Sequence, residues 1–376
     1  MPKLCLLANA ASSHTQKWAL ALAERGWKVD VLSFLPAEIE QVTVHLIPRL
    51  AGGKADAVLR APWVRRRVRE LKPDIVHAHY ATSFGLLGAL TGRHPLIISA
   101  WGSDIFSFPR SSRMHASLLK WILAQADVLC STSRVMASEM SQYLEPGRKI
   151  EVIPFGVDTG LFTPVPPKLP EPGQTQPIDL NSPIVFGAAK YLHHVYGLDI
   201  LVRALAMVKA KHPQRALLRI AGTGPEEEPL KALAAELGVA DWVQWLGALP
   251  NREVAHFYQS LDVVVLPSRQ ESFGVAAVEG SACGRPVIAA AVGGLPEVVL
   301  DKETGLLIPP EDINELASAM EYMLDNPEER RRMGEAGRAF VLKHYDWREN
   351  AAAMERVYQG VLDGGYRRQE SGDRRQ

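Results

Sequence analysis

Val263-Val264-Val265-Leu266-Pro267-Ser268-Arg269-Gln270-Glu271-Ser272-Phe273-Gly274-Val275-Ala276-Ala277-Val278-Glu279 decides how this chain is read. Its first four residues are a short apolar, mostly β-branched run, the pattern of a buried strand. Glu271 then falls just past the strand's carboxyl end, where open α/β sheets bind ligands. Ser272 to Val275 open a helix and leave backbone N–H groups free to meet a phosphate. Glu279 lies about a turn into that helix, within reach of a hydroxyl on a ligand whose phosphates rest at the terminus. Diphosphate alone would be repelled by two carboxylates, so the pattern fits a phosphorylated sugar held by its hydroxyls and phosphates together. The plain alternative, for the spacing by itself, is a surface helix with two glutamates near one face.

The residues that follow narrow the choice. Cys283-Gly284-Arg285-Pro286-Val287-Ile288-Ala289 and then Gly293-Gly294-Leu295-Pro296-Glu297-Val298-Val299 make a glycine-closed helix, a new strand and a double-glycine loop. That is a second βα unit beside the first. The whole passage resembles the donor-sugar signature of the family 4 retaining glycosyltransferases, the group 1 glycosyl transferases, whose E-x7-E motif falls on Glu271 and Glu279. The resemblance covers most of the chain and is strongest from Ile184 to Ile308. It implies a GT-B fold, with two Rossmann-like doubly wound α/β domains facing each other across a cleft. It also implies transfer of a sugar from a nucleotide-diphosphate donor to an acceptor hydroxyl. In such an enzyme Glu271 orients the sugar near its anomeric carbon, and Glu279 accepts hydrogen bonds from the ribose hydroxyls. Lys190 and the donor loop Ser272, Phe273, Gly274 and Val275 steady the charge on the leaving diphosphate.

The bulk numbers agree with an ordinary two-domain protein. The 376 residues leave room for two cores, and 47% apolar with 22% charged side chains is the usual globular balance. Lysine plus arginine and aspartate plus glutamate both number 42, so no global charge points to nucleic acid. Residues 1–160 nevertheless hold 19 basic against 13 acidic side chains. Arg60, Arg65, Arg66, Arg67, Arg69 and Lys72, with Trp63 among them, supply much of the surplus. They read as a solvated helix face or, more sharply, as a patch for anionic lipid headgroups. Cys5, Cys130 and Cys283 lie far apart among apolar or small residues, as reduced core cysteines of a cytoplasmic protein do. Leu4–Ala11 reads as a first buried strand better than as a leader, and no run of 18 apolar residues occurs.

Strand-like and helix-like runs alternate along the first half. Leu4–Ala8, Lys28–Ser33, Asp74–Ala78, Leu96–Ala100, Val128–Ser131 and Ile150–Pro154 are strands, and Thr15–Arg25 is a helix closed by Gly26. Phe162–Pro183 is crowded with proline and polar residues. The alternation restarts with strands at Ile184–Ala188, Leu217–Ala221, Val243–Leu246, Val263–Leu266, Val287–Ala290 and Leu306–Ile308. Helices at Asp199–Lys211 and Glu226–Leu237 fall between them. The expected layout is an acceptor-binding domain over 1–162, a linker over 163–183 and a nucleotide-sugar domain over 184–345. A helix over 346–363 then crosses back, in the resembled fold, to the first domain, and a disordered tail covers 364–376.

Other stretches carry candidate contacts. Ile220-Ala221-Gly222-Thr223-Gly224-Pro225 ends a strand in G-x-G; it is a plain strand-to-helix turn or, by resemblance, the donor-binding glycine turn of Gly222 and Gly224. The missing third glycine and the following Glu226-Glu227 argue against NAD. Relatives commonly carry an arginine and, six residues later, a lysine for the donor diphosphate. Here Lys190 keeps the first charge and Tyr196 replaces the second, leaving His193 and His194 as further donors. Asn9-Ala10-Ala11-Ser12-Ser13-His14-Thr15 stands where relatives often have a glycine-rich loop. Ser13 and His14 bind phosphate or acceptor there, or the hydroxyls cap the helix.

Ala100-Trp101-Gly102-Ser103-Asp104 puts tryptophan at the place of the family's histidine, so no catalytic histidine carries over. Trp101 walls a sugar site, and Asp104 binds a sugar hydroxyl or caps a helix. His79 faces the same side or is a structural histidine. No Asp-x-Asp motif occurs, and the resemblance implies no metal and no cofactor besides a UDP- or GDP-linked sugar. The implied partners are that nucleotide sugar, a glycan or lipid-linked acceptor and the inner face of an anionic membrane, in cell-envelope or polysaccharide synthesis, without nucleic acid. The rival readings are an inactive nucleotide-sugar-binding protein, or an epimerase or phosphorylase on the same fold.

Overall fold

A computed structural model describes residues 1–50, 55–165 and 183–366 of the chain. Most of the expected linker and residues 367–376 of the expected tail lie outside the described residues. The chain divides into two compact units, Met1–Pro154 with Glu349–Gln376, and Phe155–Arg348.

The first unit holds seven strands: β1 (Lys3–Leu7), β2 (Lys28–Ser33), β3 (Thr43–Leu46), β4 (Ile75–His79), β5 (Leu96–Ser99), β6 (Val128–Ser131) and β7 (Ile150–Val152). Their order is β3-β2-β1-β4-β5-β6-β7, and every neighbouring pair is parallel. Parallel strands need helical crossovers that cover both faces, which is why the central runs are apolar almost throughout. β4 departs from that rule, with His77 and His79 both buried.

β3 shows no strand pattern in the sequence, and the reason is its position. It is an edge strand, exposed at both ends, so Thr43-Val44-His45-Leu46 needs no apolar run. His45 fastens it, with Arg67 donating to Nδ1 at 3.0 Å. Nε2 is thereby left to donate to Asp30 of β2, at 2.6 Å.

The second unit holds β8 (Ile184–Ala189), β9 (Ala216–Ala221), β10 (Val243–Trp245), β11 (Val263–Leu266), β12 (Val287–Ala290) and β13 (Gly305–Ile308). They lie in the order β10-β9-β8-β11-β12-β13, again all parallel. Phe186, Leu218, Val263, Val265 and Ile288 from the sheet pack with Leu201, Leu205, Leu316 and Met320 from its helices. Burying each such side chain stabilises the unit by about 1.5–3 kcal/mol.

The stretch 155–162, read from sequence with the first domain, belongs to this second unit. Val157 pairs with Asp346, and Arg338 donates to the carbonyls of Phe162 at 2.6 Å and Thr159 at 3.0 Å. The last helix, Trp347–Leu362, begins at the end of the second unit and from Glu349 belongs to the first. There the buried Tyr358 hydroxyl is bonded to His77 Nδ1 at 2.7 Å, and Trp27 Nε1 donates to Glu355 at 3.2 Å. Among the described residues no helix is long and apolar enough to cross a membrane.

Candidate functional site

In each sheet the strand order reverses once, between β1 and β4 and between β8 and β11. Helices leave in opposite directions from two such strands, opening a crevice at their carboxyl ends. The sequence candidates gather at these two places.

In the second unit, Lys190 follows β8 directly and Glu271 follows β11 by five residues. Lys190 Nζ donates to Glu271 Oε2 at 2.5 Å, and both side chains are only about a tenth exposed, at 12% and 11%. The Tyr196 ring lies under the same ammonium, 4.7 Å from nitrogen to centroid. Burial by itself would lower the pKa of Lys190. Glu271, with smaller help from Tyr196 and Glu279, outweighs it and raises the value, so the ammonium stays charged.

The backbone around the pair is fitted to it. Gly222, at φ +138°, lies so close to Lys190 that any Cβ would strike the Lys190 carbonyl oxygen; a Cβ on Gly224 would strike that of Leu192. The glycine turn after β9 thus lets the Lys190 loop lie against it, with Leu192 N–H donating to Thr223 O at 2.9 Å. On the other side Gly294 N–H donates to Glu271 O at 3.0 Å, and its neighbour Gly293 packs directly on that carbonyl.

Helix Val275–Ala282 starts beside Glu271 with Gly274 as its N-cap and no side-chain cap, so its first N–H groups are offered by backbone alone. Val275 and Ser272 are partly exposed. Phe273 is buried against Phe155 and Tyr345, so it anchors the loop and contributes only backbone to any ligand. Glu279, one turn into the helix, is partly exposed. Its charge reaches the buried Tyr258, whose ionisation is pushed far up, first by burial and then by Glu279.

Arg269 carried no signal in the sequence, yet it ties the site together. Its guanidinium donates to both oxygens of Asp199, at 2.7 and 2.9 Å, to Glu311 at 2.6 Å and to the His194 carbonyl at 2.8 Å. It thereby fixes the β11 loop to the turn His194–Tyr196. The His194 side chain is exposed. His193 stacks on Tyr191, and its Nδ1 accepts from Val195 N–H, so only its Nε2 remains to donate.

In the first unit a cluster of rings gathers at the β1/β4 reversal. His79, at the end of β4, lies 4.6 Å from Trp101 and 4.6 Å from His77, and His14 meets the Trp101 edge at 6.1 Å. His79 is 3% exposed, and its Nδ1 has no partner among the described residues. Burial, then His14, drives its pKa down to about 3, so the ring is neutral. Burial, then Lys17, lowers His14 too. The buried Thr15 hydroxyl is likewise without a partner. Tyr80, next along, holds φ at +80°, a strained value of the kind found at binding sites.

Ser13 is exposed as the first helical residue, and Ser12 at the N-cap makes no side-chain cap bond. Asp104 is fully buried, so it meets no sugar hydroxyl. Its carboxylate accepts from the N–H groups of Ala81 and Gly102, each at 2.7 Å, and of Trp101 at 3.2 Å. Burial outweighs these bonds and raises its pKa. It organises the loop that holds Trp101.

Residues 174–340 match the family described as Glycosyl transferases group 1, and residues 3–133 match Glycosyl transferase 4-like. The GDP-mannose-dependent alpha-(1-6)-phosphatidylinositol monomannoside mannosyltransferase of Mycolicibacterium smegmatis is 30% identical over 308 residues, 79% of either chain. The D-inositol 3-phosphate glycosyltransferase of Corynebacterium aurimucosum is 34% identical over 318 residues, 79% of this chain and 74% of its own. Among solved structures, sucrose-phosphate synthase from Thermosynechococcus elongatus superposes with TM-score 0.82 at 23% identity, over 97% of this chain and 100% of its own. Anabaena HepE in complex with UDP-glucose gives 0.78 at 20%, over 96% and 100%. At those identities the likeness shows the fold alone, which is GT-B.

Proposed function

The chain belongs to the group 1 glycosyl transferase family, and from that premise we propose that it moves a sugar from a nucleotide diphosphate to an acceptor hydroxyl with retention at the anomeric carbon. The observation that carries the donor site is the Lys190–Glu271 pair at the β8/β11 reversal, beside a helix N-terminus without a side-chain cap. A diphosphate there meets one ammonium and the N–H groups near Gly274 and Val275. These donors stabilise the charge that develops on it as it leaves. Glu271 orients the sugar near its anomeric carbon, and Glu279 accepts from the ribose hydroxyls.

The acceptor hydroxyl attacks the face from which the diphosphate departs. Its oxygen forms the new bond to the anomeric carbon as the bond to phosphate breaks, and its proton passes to the departing diphosphate oxygen. Lys190 supplies the counter-charge, so the reaction proceeds without a metal. Within this reading the donor is GDP- or UDP-linked and the product belongs to envelope or polysaccharide glycan synthesis; the relatives' names support the GDP-linked donor and an inositol phosphate or lipid-linked acceptor. The exposed Ser13 and the partly exposed His14 and Trp101 support a hydroxyl-bearing ligand at the β1/β4 crevice. A panel of GDP- and UDP-sugars with inositol phosphate and phosphatidylinositol acceptors, in the presence of chelator, tests this reading. The expected result is transfer from one donor, with product and donor sharing anomeric configuration by NMR. An inverted product removes retention, and no turnover with any pair removes the donor assignment.

Contact with an anionic membrane belongs to the same reading. Leu50, Val58 and Leu59 are exposed at 63%, 58% and 51%, and the exposed Arg65, Arg66, Arg69 and Lys72 lie on the next stretch of chain. Exposed apolar side chains flanked by cations suit an anionic bilayer surface. The protein is expected to float with vesicles containing phosphatidylglycerol and not with phosphatidylcholine alone. Arg65→Glu/Arg69→Glu and high salt should each release it. Equal flotation with both vesicle types, or none with either, rejects the contact.

A further inference from the structure

We propose that Tyr196 is a positioning residue whose ring face carries the Lys190 ammonium between two anionic partners, Glu271 before the donor arrives and the donor diphosphate afterwards; this rests on the donor site proposed above. Three observations converge on it. The ring centroid lies 4.7 Å from Lys190 Nζ, inside the range of a cation–π contact. The ammonium is pinned at the same time to Glu271 at 2.5 Å, with 12% of the lysine side chain exposed, so little water competes for it. The backbone that carries the ring is fixed as well, because Tyr196 closes the turn His194–Tyr196. The guanidinium of Arg269 binds that turn at the His194 carbonyl, and the backbone N–H of Arg269 donates to Val195 O at 2.8 Å.

A tyrosine at this position supplies no charge to a diphosphate, but it does something a second cation does not. Two ammonium groups this close would repel each other, and Lys190 would be driven outward or onto Glu271 alone. The aromatic face attracts the single ammonium whichever anion it serves. Lys190 therefore swings from carboxylate to diphosphate without leaving the ring, and Glu271 is freed for the sugar only as the diphosphate takes the ammonium from it. Donor binding and release of Glu271 become one event.

The experiment compares Tyr196→Phe, Tyr196→Trp and Tyr196→Leu in the full chain, titrated calorimetrically with GDP and with UDP, alongside donor KM and kcat. Phenylalanine and tryptophan keep the ring face, so affinity and KM should stay within about twofold of the unmodified protein. Leucine keeps apolar bulk without the face and should weaken nucleoside diphosphate binding and raise donor KM by about three- to tenfold, with a smaller change in kcat. Tyr196→Met takes its place should leucine not fold. Undiminished binding by the leucine and methionine variants overturns the proposal while the donor site stands. A loss in Tyr196→Phe equal to that in Tyr196→Leu also overturns it, by making the hydroxyl the active part. If the unmodified protein binds neither GDP nor UDP and transfers from no nucleotide sugar, the donor site fails, and Tyr196 loses its role with it.

Discussion

Replacing Lys190 with methionine should lower kcat/KM for the donor by about two to three orders of magnitude, the usual loss when a donor to the developing charge is removed. A second effect separates this residue from an ordinary surface lysine. Its loss strands Glu271, about a tenth exposed, beside Glu279 with no ammonium at 2.5 Å. Breaking a buried pair by removing one partner costs about 3–5 kcal/mol, and the solvent that reaches this one reduces the figure to about 2.

Removing both charges behaves differently. Lys190→Met/Glu271→Gln leaves no stranded ion, so its melting temperature should return most of the way to that of the unmodified protein while turnover stays lost. Thermal melts and steady-state kinetics on the two single variants and the double variant measure this. Additive losses of stability would show that the two side chains do not act as a pair. The pair's contribution has a definite pH window. Lys190 has a raised pKa in the folded state, so the stabilisation is complete below the ordinary lysine value of 10.5 and fades as pH climbs through the raised one.

Gly293→Ala should be nearly as damaging although it changes no charge. At φ +51° the new methyl group would collide with the Glu271 carbonyl oxygen, and Gly294 beside it already packs so that a Cβ there would be 2.6 Å from Phe273 Cα. Neither obstacle is a flexible side chain. Relief requires moving the backbone that carries Glu271. The expected cost exceeds about 3 kcal/mol, with a fall in kcat of at least about 100-fold in whatever fraction remains folded. Gly26→Ala is the control. It also has positive φ, at +87°, but nothing lies within 4 Å, so it should lose only the backbone preference, about 1–2 kcal/mol, with kcat unchanged. Equal effects at the two glycines would mean that the double-glycine loop does not hold Glu271 in place.

The features that the sequence made legible are those written in local pattern. Val263–Leu266 and most of the other central strands announce themselves because parallel strands covered on both faces are apolar almost throughout. Glu271 and Glu279 are legible because a strand end and a helix start fix their surroundings within a dozen residues. Contacts between distant residues are not written that way. Arg269 meets Asp199 across 70 positions and Glu311 across 42, and nothing near Arg269 indicates either. Tyr196 read as a lost charge, since only the fold brings its ring to Lys190. Asp104 read as an open choice between ligand and loop until its burial and three N–H bonds decided it. β3 escaped because an edge strand with one sheet neighbour needs little apolar surface.

The bond between Tyr358 and His77 has a consequence for synthesis. The second unit is one unbroken stretch, Phe155–Arg348, and all of its sheet can form as soon as that stretch has left the ribosome. The first unit is translated earlier but lacks a piece of its core until the helix ending at Leu362 emerges, more than 200 residues after β7. Until then His77, in a central strand, has Ser99 for company on one nitrogen and nothing from Tyr358 on the other. The unit made first is therefore finished last, and a nascent chain stalled before Glu349 carries a complete second unit and a first unit still waiting for its closing helix.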